Sequence, residues 1–156
     1  MNRSEKLMEP ALEYCFDLRV AVDPPRRIGG STAGEMYFTP ITGGTMQGSR
    51  LNGQVLPGGG DRWVDGGDVV RLDAHYLLQI GDEIVDVVNR GYWRASATAI
   101  AVLEAGEQPP EEELYYRTAF TFQTDAPSVR WLAESQFIGY ATGTPDEVRI
   151  RVFRVI

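Results

Sequence analysis

From Leu12 to Val22 the chain alternates, with Leu12, Tyr14, Phe16, Leu18, Val20 and Val22 on one parity and Glu13, Cys15, Asp17, Arg19 and Ala21 on the other. Successive side chains of an extended strand point to opposite faces, so a period of two predicts a long strand with one face in a core. Pro24 and Pro25 stop it, because proline cannot donate to a ladder, and Gly29, Gly30 and Gly34 supply a turn. Met36–Pro40 and Thr42–Met46 read as short extended segments; Gly43 and Gly44 predict a bulge, or a close approach of backbone to something else. Arg50–Leu56 is extended again, before turns at Pro57–Asp61 and Asp65–Asp68. Val69–Gln79 sets Val70, Leu72, Ala74, Tyr76 and Leu78 against Arg71, Asp73, His75, Leu77 and Gln79, the clearest interior strand in the middle of the chain. Further strands are predicted at Ile84–Arg90, ended by Gly91, and at Ala95–Leu103, Leu114–Gln123, Phe137–Ala141 and Val148–Val155. One short helix, Val129–Glu134, follows the capping segment Asp125–Ser128.

Strands at this spacing, with no long amphipathic helix between any two, exclude the parallel βαβ folds. The expected fold is all-β, an antiparallel barrel of about eight to ten strands with one short helix. A barrel is preferred to a sandwich because both parities of several strands carry apolar or chemistry-bearing side chains, and its interior would be a ligand-sized cavity. A flexible segment over residues 1–10 and one domain over 11–156 are the expected organisation.

Composition narrows the function classes. With 156 residues, 43% of them apolar, the chain is long enough for its own core. Its net charge of -7, from 22 acidic and 15 basic residues, repels phosphate polymers and anionic membranes, so nucleic acid and membrane surfaces are not expected partners. Cys15 and His75 are each the sole residue of their kind, which excludes an intrachain disulfide and a structural zinc site. Neither a phosphate loop, a dinucleotide fingerprint nor a serine nucleophile elbow is present, so no cofactor or metal is expected. Residues 1–10 lack the apolar run of a secretory signal and no stretch approaches the roughly 20 apolar residues of a spanning helix, which makes the cytoplasm the expected location. The sequence is silent on oligomeric state; a homodimer through an edge or outer face is one arrangement open to such a barrel.

The stretch Pro40-Ile41-Thr42-Gly43-Gly44-Thr45-Met46-Gln47-Gly48, continuing through Gly53-Gln54-Val55-Leu56-Pro57-Gly58-Gly59-Gly60-Asp61, resembles the family known as domain of unknown function 3237. The likeness continues through Leu72–Tyr76, Asn89–Gly91, Tyr115–Ala119, Trp131-Leu132 and Phe137–Gly139. The resemblance implies a small β-barrel without an assigned activity. By association with natural-product pathways it also implies cyclase, isomerase or lyase chemistry.

Several residues could carry chemistry. Asp73 and His75, two apart on one strand, share a face, and a carboxylate beside an imidazole suits a general acid or base; the alternative is a solvated outer face. Tyr115 and Arg117 also share a parity. An arginine inside a barrel would hold Asp73, Asp61 or a ligand carboxylate or enolate, unless it forms a structural ion pair. Asn89 and Arg90, before Gly91, are expected at the barrel rim, where a turn role is the plainer account. Asp61 and Trp63 follow three glycines and could line the same mouth as proton acceptor and flat apolar wall. Trp131 is a ligand platform or a plug on the core. Gly43 and Gly44 could present amides to an oxyanion or form the bulge that closes the barrel.

Three functions fit. One is a cofactor-free lyase, isomerase or cyclase acting on a small organic substrate by acid/base catalysis. The second is a non-catalytic small-molecule binder or carrier of lipocalin-like habit, and the third a structural or oligomer-forming barrel. A catalyst needs an ionisable group facing the cavity, so the placement of Asp73, His75 and Arg117 discriminates among them.

Overall fold

The computed structural model describes residues 7–156. Ten strands form one sheet: β1 (Leu12–Val22), β2 (Arg26–Ser31), β3 (Gly34–Gly48), β4 (Asn52–Val55), β5 (Gly60–Asp65), β6 (Val70–Ile80), β7 (Glu83–Ala95), β8 (Leu114–Gln123), β9 (Phe137–Gly143) and β10 (Glu147–Val155). The antiparallel order runs β1-β10-β9-β8-β7-β6. Next, β4 and β5 share one position between β6 and β3, and β3 pairs back onto β1. The result is a closed eight-position barrel in which one position is split between two strands, while β2 pairs with β3 beyond the end of β1. The predicted all-β antiparallel barrel is therefore the fold. Of the expected flexible segment over residues 1–10, the first six lie outside the described residues; Leu7–Pro10 have no regular structure and are exposed.

Closure depends on the bulge in β3. Ala21 pairs with Gly43 and Val22 with Ile41, which leaves Thr42 as the extra residue. The insertion exchanges the parities of β3: Thr39 and Ile41 face inward before it and Met46 after it. Gly44 has φ +146°, and a Cβ there would collide with the Arg19 carbonyl of β1, so only glycine lets the two strands meet at this point.

Several expectations are corrected: β2 takes up Gly29 and Gly30, which read as a turn, the segments Met36–Pro40 and Thr42–Met46 are one strand, β3, β5 begins inside the expected turn Pro57–Asp61, and the one short helix expected is joined by another. Gly91 does not end β7, which runs on to Ala95; a side chain at Gly91 would collide with the Arg117 carbonyl and with Thr118 Cα, so the glycine permits close pairing with β8. The expected strand Ala95–Leu103 is instead helix α1 (Ala97–Glu104). Its Ser96 hydroxyl accepts the Ala99 N–H at 3.0 Å, and Ala97, Ala99 and Ala101 lose no side-chain entropy on coiling. The predicted short helix is present as a 3-10 helix over Pro127–Glu134, with Val129 and Leu132 buried beneath it. A single 3-10 turn, Glu111–Glu113, precedes β8. No helix among the described residues is long and apolar enough to cross a membrane.

The core fills one end of the barrel. Phe16, Leu18, Met46, Leu78, Val85, Val87, Phe137 and Val152 are essentially inaccessible there. The rings of Phe122 and Phe137 meet edge to face, with centroids 5.2 Å apart, a preferred arrangement of aromatic quadrupoles. Each such side chain contributes about 1.5–3 kcal/mol by leaving water.

Candidate functional site

Followed along the barrel from that packed end, the inward side chains change from close-packed hydrophobics to a mixed set. On β6, Leu78 gives way to Tyr76, Ala74 and Leu72; on β7, Val85 and Val87 to Asn89 and Gly91; on β8, Phe122 and Phe120 to Thr118; on β9, Phe137 to Gly139. Pairing aligns Leu72, Gly91, Thr118 and Gly139 in one row across four strands; the two glycines permit close approach, since a Cβ at Gly91 would meet the Arg117 carbonyl and one at Gly139 the Ile150, Thr118 and Phe120 side chains. A cavity of about 490 Å3 lies at this end, lined by Leu72 and Thr118 of that row and by neither glycine.

Its walls are mostly apolar, with Val20, Val22, Ile41, Leu72, Ala74, Val148 and Ile150 around the sides. Trp63 and Trp93 add flat aromatic faces. Trp63 is held by its indole N–H, which donates to Thr39 Oγ1 at 2.9 Å, and by stacking on Tyr37 at 4.3 Å between centroids. Asp23 and Pro25 after β1, Thr144 and Pro145 between β9 and β10, and Asp65 at the end of β5 are exposed residues framing the mouth.

The chemistry sits on β5, β6, β7 and β8. Asp61 projects into the cavity, and its Oδ1 accepts the Asp73 main-chain N–H at 2.9 Å. The β5–β6 ladder is open beside it: Asp61 pairs with Ala74, and pairing resumes only at Val64 and Arg71. Burial pushes the Asp61 carboxyl up to about 6; the Asp73 amide opposes the rise, the negative charge of Asp73 adds to it, and His75 opposes it. Burial likewise drives the Tyr76 and Tyr116 hydroxyls well above the ordinary tyrosine value. Coulombic coupling to Tyr116 and then Asp61 adds to the shift at Tyr76, and coupling to Asp61 adds to it at Tyr116. Tyr76 OH, Asn89 Oδ1 and Thr118 Oγ1 are buried on this wall without a hydrogen-bond partner, although buried polar atoms are normally satisfied. A neutral tyrosine can donate to an oxygen that gains charge, and a carboxyl titrating near neutrality can give or take a proton.

Three of the residues singled out from sequence line this cavity: Asp61, Trp63 and Asn89. Asn89 is buried in mid-strand, not at a rim, because β7 continues beyond Gly91. The others lie elsewhere. Asp73 and His75 do share a face, but it is the outer one, since Leu72, Ala74 and Tyr76 hold the inward parity of β6. There Asp73 Oδ1 meets His75 Nε2 at 2.8 Å and Arg90 Nε at 3.0 Å, all three side chains at least a third exposed. Tyr115 and Arg117 are outward for the same reason, Tyr116 and Thr118 being inward on β8. Arg117 lies over the Tyr140 ring at 4.0 Å and donates to the Tyr116 carbonyl at 3.0 Å, so aromatic faces hold it, not an anion. Gly43 and Gly44 directly follow the bulge at Thr42, paired with Ala21 and Val20, and do not line the cavity. Trp131 packs on Phe137 at the filled end with the Arg50 guanidinium 4.4 Å above it, as a plug. Sequence reasoning missed Tyr76, Tyr116, Thr118 and Trp93. Tyr76, Tyr116 and Thr118 carry a signal, each a polar residue on a parity otherwise given to core, whereas Trp93 lies beyond Gly91, where the sequence reading ends the strand.

The chain is 31% identical over 153 residues to the UPF0311 protein RPA1785 of Rhodopseudomonas palustris, covering 96% of this chain and all of that one. The crystal structure of that conserved protein of unknown function superposes with a TM-score of 0.87 at 28% identity, over 97% of this chain and all of the other. A β-barrel-like protein from Acinetobacter baumannii superposes with a TM-score of 0.84 at 26% identity, covering 98% and 100% of the two chains. A protein described as an enzyme from Penicillium herquei shares the fold at a TM-score of 0.70 and 20% identity, over 98% and 99%. Residues 10–155 match the family described as Protein of unknown function (DUF3237), and the chain belongs to that family.

Proposed function

We propose that the cavity binds a small organic molecule and that Asp61 moves a proton on it, which makes the protein a cofactor-independent lyase, isomerase or cyclase. The carrying observation is the Asp61 carboxyl, inside an apolar-walled cavity and pushed up to about 6. At neutral pH such a group is chiefly a base, yet its conjugate acid is close enough in energy to return the proton within one turnover. Tyr76 and Tyr116 stay protonated and supply neutral donors for an oxygen that gains charge. The shaped wall holds the substrate in one conformation, which is what ring closure or double-bond migration requires. The Penicillium protein of the same fold is called an enzyme, a likeness of fold alone that is compatible with this reading.

A non-catalytic carrier is the second reading, favoured by the mainly apolar wall and the exposed prolines around the mouth. Metabolite capture on the purified protein, identified by mass spectrometry, supplies the molecule for the decisive comparison of wild type with Asp61→Asn. The amide keeps an oxygen for the Asp73 N–H and cannot take the proton. Turnover is expected to fall on the order of 10^2–10^4-fold with binding retained. If the captured molecule binds unchanged in chemical form to both proteins, the protein is a carrier.

A further inference from the structure

The side chains of formal charge that line the cavity are Asp23, Asp61 and Asp65, and all three are acidic. The cations of the neighbouring strands take the outward parity: Arg71 and His75 on β6, Arg90 and Arg94 on β7, and Arg117 on β8 are absent from the lining. An anion entering this space would leave water for a low-dielectric region that holds negative charge, with no guanidinium or ammonium among the described lining residues to offset the loss. A group that donates a hydrogen bond meets the opposite situation, because the Asp61 carboxylate receives one amide on Oδ1 and offers further lone pairs.

From this distribution we infer that the ligand carries no negative charge and presents a hydroxyl or amine donor to Asp61, so that carboxylates and phosphates are excluded. This rests on the reading of the cavity as a binding site, and it replaces the carboxylate or enolate ligand that Arg117 suggested in the sequence. The outward turn of Arg117 removes the group that would have held such an anion.

A matched series on one ring tests it: 2-naphthol, 2-methoxynaphthalene and 2-naphthoate, titrated into 15N-labelled protein near pH 8. Trp63 and Trp93 line the cavity and Trp131 sits at the other end, so the three indole N–H resonances report the site and a control within one spectrum. The expected result is that naphthol shifts the Trp63 and Trp93 signals with about tenfold tighter binding than the methoxy compound, the worth of one hydrogen bond to a charged acceptor. Naphthoate should be weaker than either, and Asp61→Asn should narrow the gap between naphthol and naphthoate. Naphthoate binding as tightly as naphthol to the wild type overturns the charge rule. Equal affinity for naphthol and its methyl ether overturns the donor rule. If no probe moves the two cavity indoles, the binding-site reading fails and takes this inference with it, a result distinct from binding without discrimination.

Discussion

The two ends of this barrel are built from the same strands with the same alternation, yet one is solid and the other hollow. At the solid end the inward positions of β7, β8 and β9 are Val85, Val87, Phe120, Phe122 and Phe137; at the hollow end the same strands contribute Asn89, Gly91, Trp93, Tyr116, Thr118 and Gly139. Alternation thus sets which face is interior, and the kind of inward side chain, close-packed hydrophobic or mixed polar and aromatic, marks whether that interior is core or site. Stability and chemistry are separated along the barrel axis, so substitutions at the two ends should have different signatures.

Phe137→Ala should show the largest effect, a loss of about 3–5 kcal/mol in urea denaturation, because a fully buried ring leaves a void at the solid end. Leu72→Ala, facing space that is already empty, should cost clearly less, and equal losses would break the division between ends. Gly91→Ala should come next, at about 1–3 kcal/mol, since its methyl would collide with the Arg117 carbonyl of the paired strand β8.

Asp61 should leave a pH signature at the hollow end. Its carboxyl titrates at about 6 in the folded chain against about 3.9 when unfolded, so between those values the folded state holds more protons. Stability therefore falls as pH rises from about 4 to 6 and levels above that window. Asp61→Asn should remove this component from urea midpoints measured across the range, and an unaltered slope would assign the titration to another group.

Tyr76→Phe deletes a buried hydroxyl without a partner and should change stability by no more than about 1 kcal/mol, in the favourable direction. The smallest effect is expected outside the barrel. His75→Ala breaks an exposed contact with Asp73 and should cost less than about 1 kcal/mol in a thermal melt, with turnover of any captured substrate kept within about threefold.

Much of the fold was legible because a period of two survives in any environment: β1 and β6 read directly from their apolar parities. Gly91 read as a stop because a glycine that ends a strand and one that admits a neighbouring backbone look alike in one dimension. The strand expected over Ala95–Leu103 is helix α1, and Ser96 ahead of an alanine-rich stretch carries the capping signal for it. At the site, Asp73, His75 and Arg117 attracted attention by their chemistry, while their parity already set them opposite Ala74, Tyr76 and Thr118. Polar groups on the apolar parity, such as Tyr76, Asn89 and Thr118, were the better signal, because a buried polar group is costly and needs a reason to be there.

Taken alone, the residue order establishes an all-strand antiparallel chain and assigns most side chains to an inner or outer face, since both follow from local geometry at one residue's reach. The hollow does not follow in that way. It exists because pairing registers bring Asp61, Ala74 and Asn89 into one row of the wall, and because a bulge at Thr42 lets β3 close on β1. Those partners come from separate strands, and the volume they enclose is a property of their meeting in space.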